Sequence, residues 1–134
     1  MTQTTQSNLY FYKVKNYKVV DGDTIKATLD LGFNISLDIS LRLKNVYAPE
    51  SRSSNTTEKE LGLKVKTFLD STVQKYSDSL YASTEKDPST FDRYVGILYY
   101  QDSSNNFISI NDMINQYMKE SLNIEGGGRG YKKA

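Results

Sequence analysis

An unbroken alternation of apolar and polar residues from Asn34 to Lys44 sets the strongest constraint on the fold of this chain. One parity holds only aliphatic residues, Ile35, Leu37, Ile39, Leu41 and Leu43. A period of two places successive side chains on opposite faces of a β-strand. The segment therefore predicts one continuous strand with a buried aliphatic face and a polar face that carries Arg42 and Lys44.

Two more strand-like runs precede this one. Tyr10 to Val20 and Thr24 to Leu29 are rich in β-branched and aromatic residues, which favour strands. Asp30-Leu31-Gly32 supplies turn chemistry between the second run and the long strand. The first third of the chain therefore predicts an antiparallel meander.

The period then changes to that of a helix, from Glu58 to Tyr76, with Thr57-Glu58-Lys59-Glu60 as a candidate capping box. One helical stripe collects the apolar side chains, Leu61, Val65, Phe68, Leu69, Thr72 and Tyr76. Because a stripe of this width must be covered, we expect the helix to pack on the sheet.

Two strands and a second helix follow. The strands are predicted at Ser79–Thr84 and Tyr94–Gln101, joined by the polar loop Glu85–Thr90. The helix is predicted from about Asn111 to Glu120, capped by Ser109. Its apolar face is formed by Ile110, Ile114, Tyr117 and Met118.

Three strands, a helix, two strands and a helix is the element order of a five-stranded OB-fold barrel with two flanking helices, an α+β protein. A chain of 134 residues lies in the one-domain range. We expect residues 9–124 to form that domain, residues 1–8 to be a flexible N-terminus, and residues 125–134 to be a Gly/Lys-rich tail.

Composition narrows the possible chemistry. The chain has no cysteine and no histidine, which removes disulfides, thiolate metal sites and imidazole bases, so acid–base work falls to carboxylates. A net charge of only +1 means that nucleic-acid binding requires a local basic patch. The polar start, Met1 to Asn8, resembles neither a signal peptide nor a membrane anchor, so a cytoplasmic location is expected.

Two short segments carry the candidate chemistry, Val19–Ile25 and Leu41–Glu50. They hold carboxylates, a turn glycine, an arginine and a Pro-Glu pair. Hydrolysis of a phosphodiester requires an activated water, a cation and fixed positive charge at the phosphoryl group. Asp23, Glu50, Arg42 and Arg93 are groups of the right kinds, and a calcium site of carboxylate and main-chain oxygens is plausible chemistry here.

Three motifs resemble, in order and spacing, the signature of the staphylococcal-nuclease (thermonuclease) family. They are Asp21-Gly22-Asp23-Thr24, Arg42 with Ala48-Pro49-Glu50, and Asp92-Arg93-Tyr94-Val95-Gly96, and the resemblance extends from about Tyr17 to Asn123. It implies an OB-fold barrel that cleaves DNA and RNA with calcium.

The resemblance also implies a metal site. Asp23 corresponds to the first metal ligand, Asp21 to a nearby carboxylate that holds metal-bound water, and Ala48 to a backbone-carbonyl ligand. Tyr47 stands where the family normally has a second metal-binding aspartate, and a neutral phenol is a poor replacement. We therefore expect a weakened calcium site, with Asp21, Glu50, Asp38 or substrate phosphate as possible compensation.

The implied catalytic residues are Glu50, as the base that activates water, and Arg42 and Arg93, which stabilise the phosphoryl intermediate. From position alone, Arg42 could instead be a surface arginine paired with Asp38 or Glu50, and Arg93 could be paired with Asp92 or another acid. The family usually has glycine where this chain has Asp92.

Three more residues are candidates for substrate binding. Tyr47 and Tyr94 lie beside predicted site residues and could stack on bases, and Lys44 widens the positive field of Arg42. The other strand aromatics are expected to be half-buried in the usual way.

Two functions of different class follow from these observations. The first is a calcium-dependent nuclease acting on DNA, RNA or both as a monomer. The second is a catalytically degenerate OB-fold module that binds nucleic acid or protein, for which Tyr47 is the best argument. A third family helix has no counterpart after the second helix in this sequence.

Overall fold

The structure, a computed structural model, describes residues 10–86, 93–125 and 132–133. The expectations for residues 1–8, Asp87–Thr90, Asp92 and most of the tail lie outside these residues. The elements are β1 (Phe11–Asp21), β2 (Thr24–Asp30), β3 (Ser36–Leu43), α1 (Thr56–Lys75), a short 3₁₀ helix (Ser77–Ser79), β4 (Leu80–Lys86), β5 (Arg93–Gln101), β6 (Phe107–Ser109), α2 (Ile110–Ser121), β7 (Ile124–Glu125) and β8 (Lys132–Lys133).

Strands β1 to β5 close into a barrel. The sheet order is β3-β2-β1-β4-β5, and β3 also pairs with β5, which joins the two edges. All neighbouring pairs among these strands are antiparallel except β3–β5, which is parallel. This five-stranded mixed barrel with two helices is OB-fold-like and confirms the predicted fold class.

The core lies inside the barrel and beneath the helices. Its fully buried side chains include Ile25, Leu41 and Leu98 from the strands. Helix α1 covers the barrel through the predicted stripe, of which Val65 and Leu69 are fully buried while Leu61, Phe68 and Tyr76 are partly buried against the core. Helix α2 buries Ile110, Ile114 and Met118, as its period predicted.

The long alternating strand is shorter than predicted. Strand β3 begins at Ser36, and Ile35 and Leu37 are 54% and 47% exposed, so the expectation that both are buried is wrong. Ile39, Leu41 and Leu43 on the same parity are buried. Both residues lie at the turn end of the β2–β3 hairpin: Ile35 precedes β3, and Leu37 is the second residue of the strand.

The start of α1 also differs from the prediction. Asn55, not Thr57, is the N-cap, and its side chain accepts a hydrogen bond from the Glu58 N–H at 2.9 Å. The Ser109 cap of α2 is as predicted, since its hydroxyl accepts from the Asp112 N–H at 3.1 Å.

Some aromatic residues lie outside the core. Tyr12 and Tyr100 pack against it, but a cluster of outward-facing rings covers β1, β4, β5 and β6, and Tyr10 precedes β1 and is 65% exposed. The cluster consists of Phe11, Tyr81, Tyr99 and Phe107. Strands β6, β7 and β8 were not predicted, because runs of two or three residues carry no readable period.

Within the part of the chain that the structure describes, no helix combines the length and the apolar character needed to cross a membrane.

Candidate functional site

The turn between β1 and β2 brings the first motif to the outside of the barrel. Asp21 and Thr24 are paired across this turn, and the Asp21 carboxylate accepts a hydrogen bond from the Gly22 N–H at 3.0 Å. In the next strand pair, Thr24 lies opposite Arg42. The antiparallel register therefore places the Asp-Gly-Asp turn next to the predicted arginine.

Arg42 and Asp23 form an ion pair. The distance from Arg42 Nη2 to Asp23 Oδ2 is 3.5 Å, and neither Asp38 nor Glu50 forms a salt bridge with Arg42. Arg42 Nη1 also donates to the backbone carbonyls of Leu43 at 2.8 Å and Val46 at 2.6 Å. These bonds fix the orientation of the guanidinium group, leaving the side chain 21% exposed.

Tyr47 lies against this arginine. The Arg42 guanidinium carbon is 5.1 Å from the centre of the Tyr47 ring, a cation–π distance. Tyr47 therefore contacts the predicted catalytic arginine and supplies no charge there.

Asp23 is held in a half-buried position. Its carboxylate accepts hydrogen bonds from the Thr24 hydroxyl at 3.0 Å and the Ala48 N–H at 3.2 Å. Burial raises the pKa of Asp23 above its ordinary value, although the Arg42 charge and these two hydrogen bonds act in the opposite direction. The nearby Asp21 carboxylate raises the pKa further. The site thus stabilises the negative charge of Asp23 only incompletely.

Two glycines let helix α1 approach both motifs. A Cβ at Gly22 would lie 2.5 Å from Val65 Cγ1 of α1, and a Cβ at Gly62 of α1 would lie 2.6 Å from backbone atoms of Pro49, Glu50 and Ser51. Helix α1 therefore packs directly against both the β1–β2 turn and the loop that carries Glu50. Gly62 was missed by the sequence analysis, and a glycine inside a strong helical period was the signal that could have found it.

The loop after Ala48 is also fixed by hydrogen bonds. The Ser51 N–H donates to Asp21 Oδ1 at 3.4 Å, which links the first motif to the residue that follows the second. Glu58, in the first turn of α1, accepts from the Glu50 N–H at 3.3 Å and from the Ser53 hydroxyl at 2.8 Å. The backbone of Glu50 is thus anchored while its side chain is exposed.

Arg93 lies on the strand next to Arg42. The parallel β3–β5 register pairs Ser40 with Arg93 and Arg42 with Val95, so both arginines extend from the outer face of the barrel, two residues apart along the strands. Neighbouring strands are about 4.8 Å apart and a strand rises about 3.3 Å per residue, which puts the two Cα atoms roughly 8 Å apart. Arg93 is thus on the same side of the barrel as Asp23.

The other two substrate-binding candidates are placed differently. Tyr94 lies opposite Leu41, packs against the core, and has the Lys86 ammonium 5.6 Å from its ring centre, so its ring is not on the outer face that carries Arg42. Lys44 forms an exposed salt bridge with Glu85 at 2.8 Å.

The carboxylates around Asp23 can form only a weak cation-binding site. Among the described residues, no three acidic side chains come together as a metal cluster, and Asp38 is engaged instead by the Thr28 hydroxyl at 2.6 Å. Asp21 and Asp23 are close enough to repel each other, and Asp21 uses only one carboxylate oxygen in hydrogen bonds to the rest of the described chain. Two hard carboxylates of this kind fit calcium, with water or substrate phosphate needed to complete the ligand shell.

No protein-family model matches the sequence, and no curated protein matches it either.

Proposed function

We propose that the protein is a calcium-dependent nuclease that hydrolyses phosphodiester bonds of DNA, RNA or both. The observation that carries the proposal is the junction of the two motifs: Asp23 contacts both Arg42 and the Ala48 N–H, so residues from separate loops share one site. Half-buried ionic groups from the β1–β2 turn and from β3, joined by hydrogen bonds to the backbone of a third segment, are of the kind that a phosphoryl-transfer site requires.

Arg42 is the residue best prepared to bind the phosphoryl group. Its 3.5 Å distance to Asp23 is longer than the roughly 2.7–2.9 Å of a charge-assisted hydrogen bond, so the pair is loose. Because Nη1 is fixed on backbone carbonyls, the remaining guanidinium N–H groups can donate to phosphoryl oxygens without further ordering. Arg93, on the adjacent strand, supplies a second positive charge on the same face.

Glu50 would remove the proton from the attacking water. Its backbone is held by Glu58 and its carboxylate is exposed, so the base reaches solvent. Calcium, held by Asp23 and Asp21 with the Ala48 carbonyl, would polarise the phosphoryl oxygens. Tyr47 adds no metal-binding charge, so calcium affinity is expected to be low.

The second candidate function is a catalytically inactive OB-fold module that binds nucleic acid. The Tyr47 ring against Arg42, together with the two-carboxylate site, favours it. In that case Arg42 and Arg93 would bind phosphates without hydrolysis. The monomeric state and cytoplasmic location expected from the sequence stay predictions.

A gel assay on single-stranded DNA with calcium or EDTA tests the proposal. We expect calcium-dependent cleavage by the wild type and a loss of about 100-fold or more in kcat for Glu50→Gln, because a general base contributes about 10²–10⁴-fold. Glu60→Gln, an exposed glutamate on α1, is the matched control and should leave kcat unchanged. If the wild type binds single-stranded DNA at saturating calcium without cleaving it, the nuclease proposal is rejected and the inactive binding module is supported.

A further inference from the structure

A row of cross-strand partners crosses the outer face of the barrel. Lys18 of β1 lies opposite Lys26 of β2, Lys26 lies opposite Ser40 of β3, and Ser40 lies opposite Arg93 of β5. Directly paired residues of a sheet extend from the same face. Four neighbouring strands therefore present two lysines, a serine and an arginine side by side.

The two lysines repel each other, because they are direct partners on neighbouring strands. Like charges directly opposite each other destabilise a strand pair. Across the ranges 10–86 and 93–125, no carboxylate forms a salt bridge with Lys18 or Lys26, although both are exposed. Asp38, the nearest acid by register, is hydrogen-bonded to Thr28. Neither lysine is held in a salt bridge, so an anion bound between the two ammonium groups would relieve their repulsion.

The lysine pair also lies in an open groove. The groove has a volume of about 500 Å³ and is lined by Lys18, Lys26, Ser40, Thr28 and Asp38 among others. The two lysine ammonium groups and the Ser40 hydroxyl are donors suited to phosphate oxygens, whereas the Thr28 hydroxyl donates to Asp38.

One end of the groove, formed by Lys26 and Ser40, lies next to the candidate site. The adjacent row of partners consists of Thr24, Arg42 and Val95, and lies two residues, about 7 Å, further along the strands. With strands about 4.8 Å apart, the row from Lys18 to Arg93 spans roughly 14 Å. It is long enough to contact more than one phosphate of a strand that also reaches Arg42.

We propose that Lys18 and Lys26 form a phosphate-binding subsite that holds the backbone of single-stranded DNA or RNA next to the Asp23–Arg42 site. This inference rests on the proposed function for its ligand class, and it adds residues that none of the three motifs contains. Because the contacts are to phosphates, they position the strand without reading its sequence.

Binding of a fluorescein-labelled single-stranded oligodeoxynucleotide, followed by anisotropy in EDTA at several salt concentrations, tests the subsite. Lys18→Gln/Lys26→Gln should weaken binding of every sequence and reduce the slope of log K against log salt by about 1.4, since each single-strand phosphate contact contributes about 0.7. Lys59→Gln/Lys119→Gln removes the same charge from exposed positions on α1 and α2 and should leave the slope unchanged.

The outcomes separate the subsite from the nuclease. In calcium, the Lys18/Lys26 double variant should show a raised KM with kcat retained, and its Tm should be equal to or above that of the wild type because repulsion is relieved. Cleavage by the wild type with an unchanged slope and KM in the variant would overturn the subsite alone. A reduced slope without wild-type cleavage would support the subsite and reject the nuclease, and a wild type that binds no single strand would reject both.

Discussion

Replacing Gly62 with alanine tests whether α1 positions the loop that carries Glu50. The added Cβ would lie 2.6 Å from the carbonyl oxygen of Pro49, the carbonyl carbon of Glu50 and the amide nitrogen of Ser51. These are backbone atoms, and the loop is further anchored to Glu58 and Asp21. To reach an ordinary contact distance of 3.4 Å, the loop or the helix must move by about 0.8 Å.

Two effects of opposite sign determine the stability of this variant. Alanine is favoured over glycine inside a helix by about 1 kcal/mol. Overpacking typically costs about 1–3 kcal/mol, and a fixed backbone is at the upper end because no side chain can rotate away. We expect a net loss of about 1–2 kcal/mol, equivalent to a Tm lower by about 4–8 °C for a chain of this length.

The effect on activity should exceed the effect on stability. Misplacement of catalytic groups by about 1 Å can reduce the rate on the order of 100-fold, so kcat/KM should fall by roughly 10-fold to 100-fold. Urea denaturation followed by circular dichroism measures the first effect and the single-strand cleavage assay the second.

Thr67→Ala is the control for helix propensity, because Thr67 is an exposed residue of the same helix. It should stabilise the protein slightly. A Gly62→Ala protein that is more stable than the wild type and fully active would refute the close approach of helix and loop.

Three further variants test other parts of the structure. Asn111→Ala should lower the free energy of unfolding by about 2–4 kcal/mol in urea titrations, because it leaves the Leu98 N–H and the Lys44 carbonyl without their side-chain partner. Tyr47→Asp should lower the calcium concentration needed for half-maximal cleavage, since it adds a carboxylate beside Arg42 and Asp23; an unchanged half-saturation point would show that position 47 does not face the metal. Asp23→Asn should abolish cleavage yet raise Tm at pH 7 in EDTA. The pKa of Asp23 is raised on folding, so the stability linked to its protonation is present below its ordinary value of 3.8 and is lost as pH rises through the folded pKa. The Tm advantage of the asparagine variant should therefore disappear near pH 3, and a constant advantage from pH 3 to pH 8 would contradict the raised pKa.

Sequence periodicity predicted the strands and helices well, but not which of their residues are covered by other elements. The alternation through β3 correctly assigned each residue to a face of the strand. Alternation does not tell whether another element covers that face, so the exposure of Ile35 and Leu37 was not predicted. The N-terminus of α1 was misplaced for a related reason. Asn55 and Thr57 are both able to cap a helix, and the chosen cap depends on how the preceding loop is attached to Glu58.

The site was only partly accessible to sequence reasoning. Spacing could nominate Asp23 and Arg42, but the partner of Arg42 depends on the register between β2 and β3. The position of Arg93 depends on a parallel pairing between strands that α1 and β4 separate in the chain, and no local pattern encodes such a pairing. The row of cross-strand partners from Lys18 to Arg93 was missed because its residues are far apart in sequence and adjacent only across the sheet.

The β3–β5 pairing also sets the order in which the functional face can assemble during folding. Strands β1 to β3 are joined by short turns, so they can pair early and bring Asp23 to Arg42 within one local unit. Arg93 joins that face only when the long segment through α1 and β4 has closed the barrel, a slower step because of its loop-closure entropy. A chain whose barrel is still open thus has part of the cationic face but not all of it, so the nucleic-acid binding proposed for this face would require the completed fold.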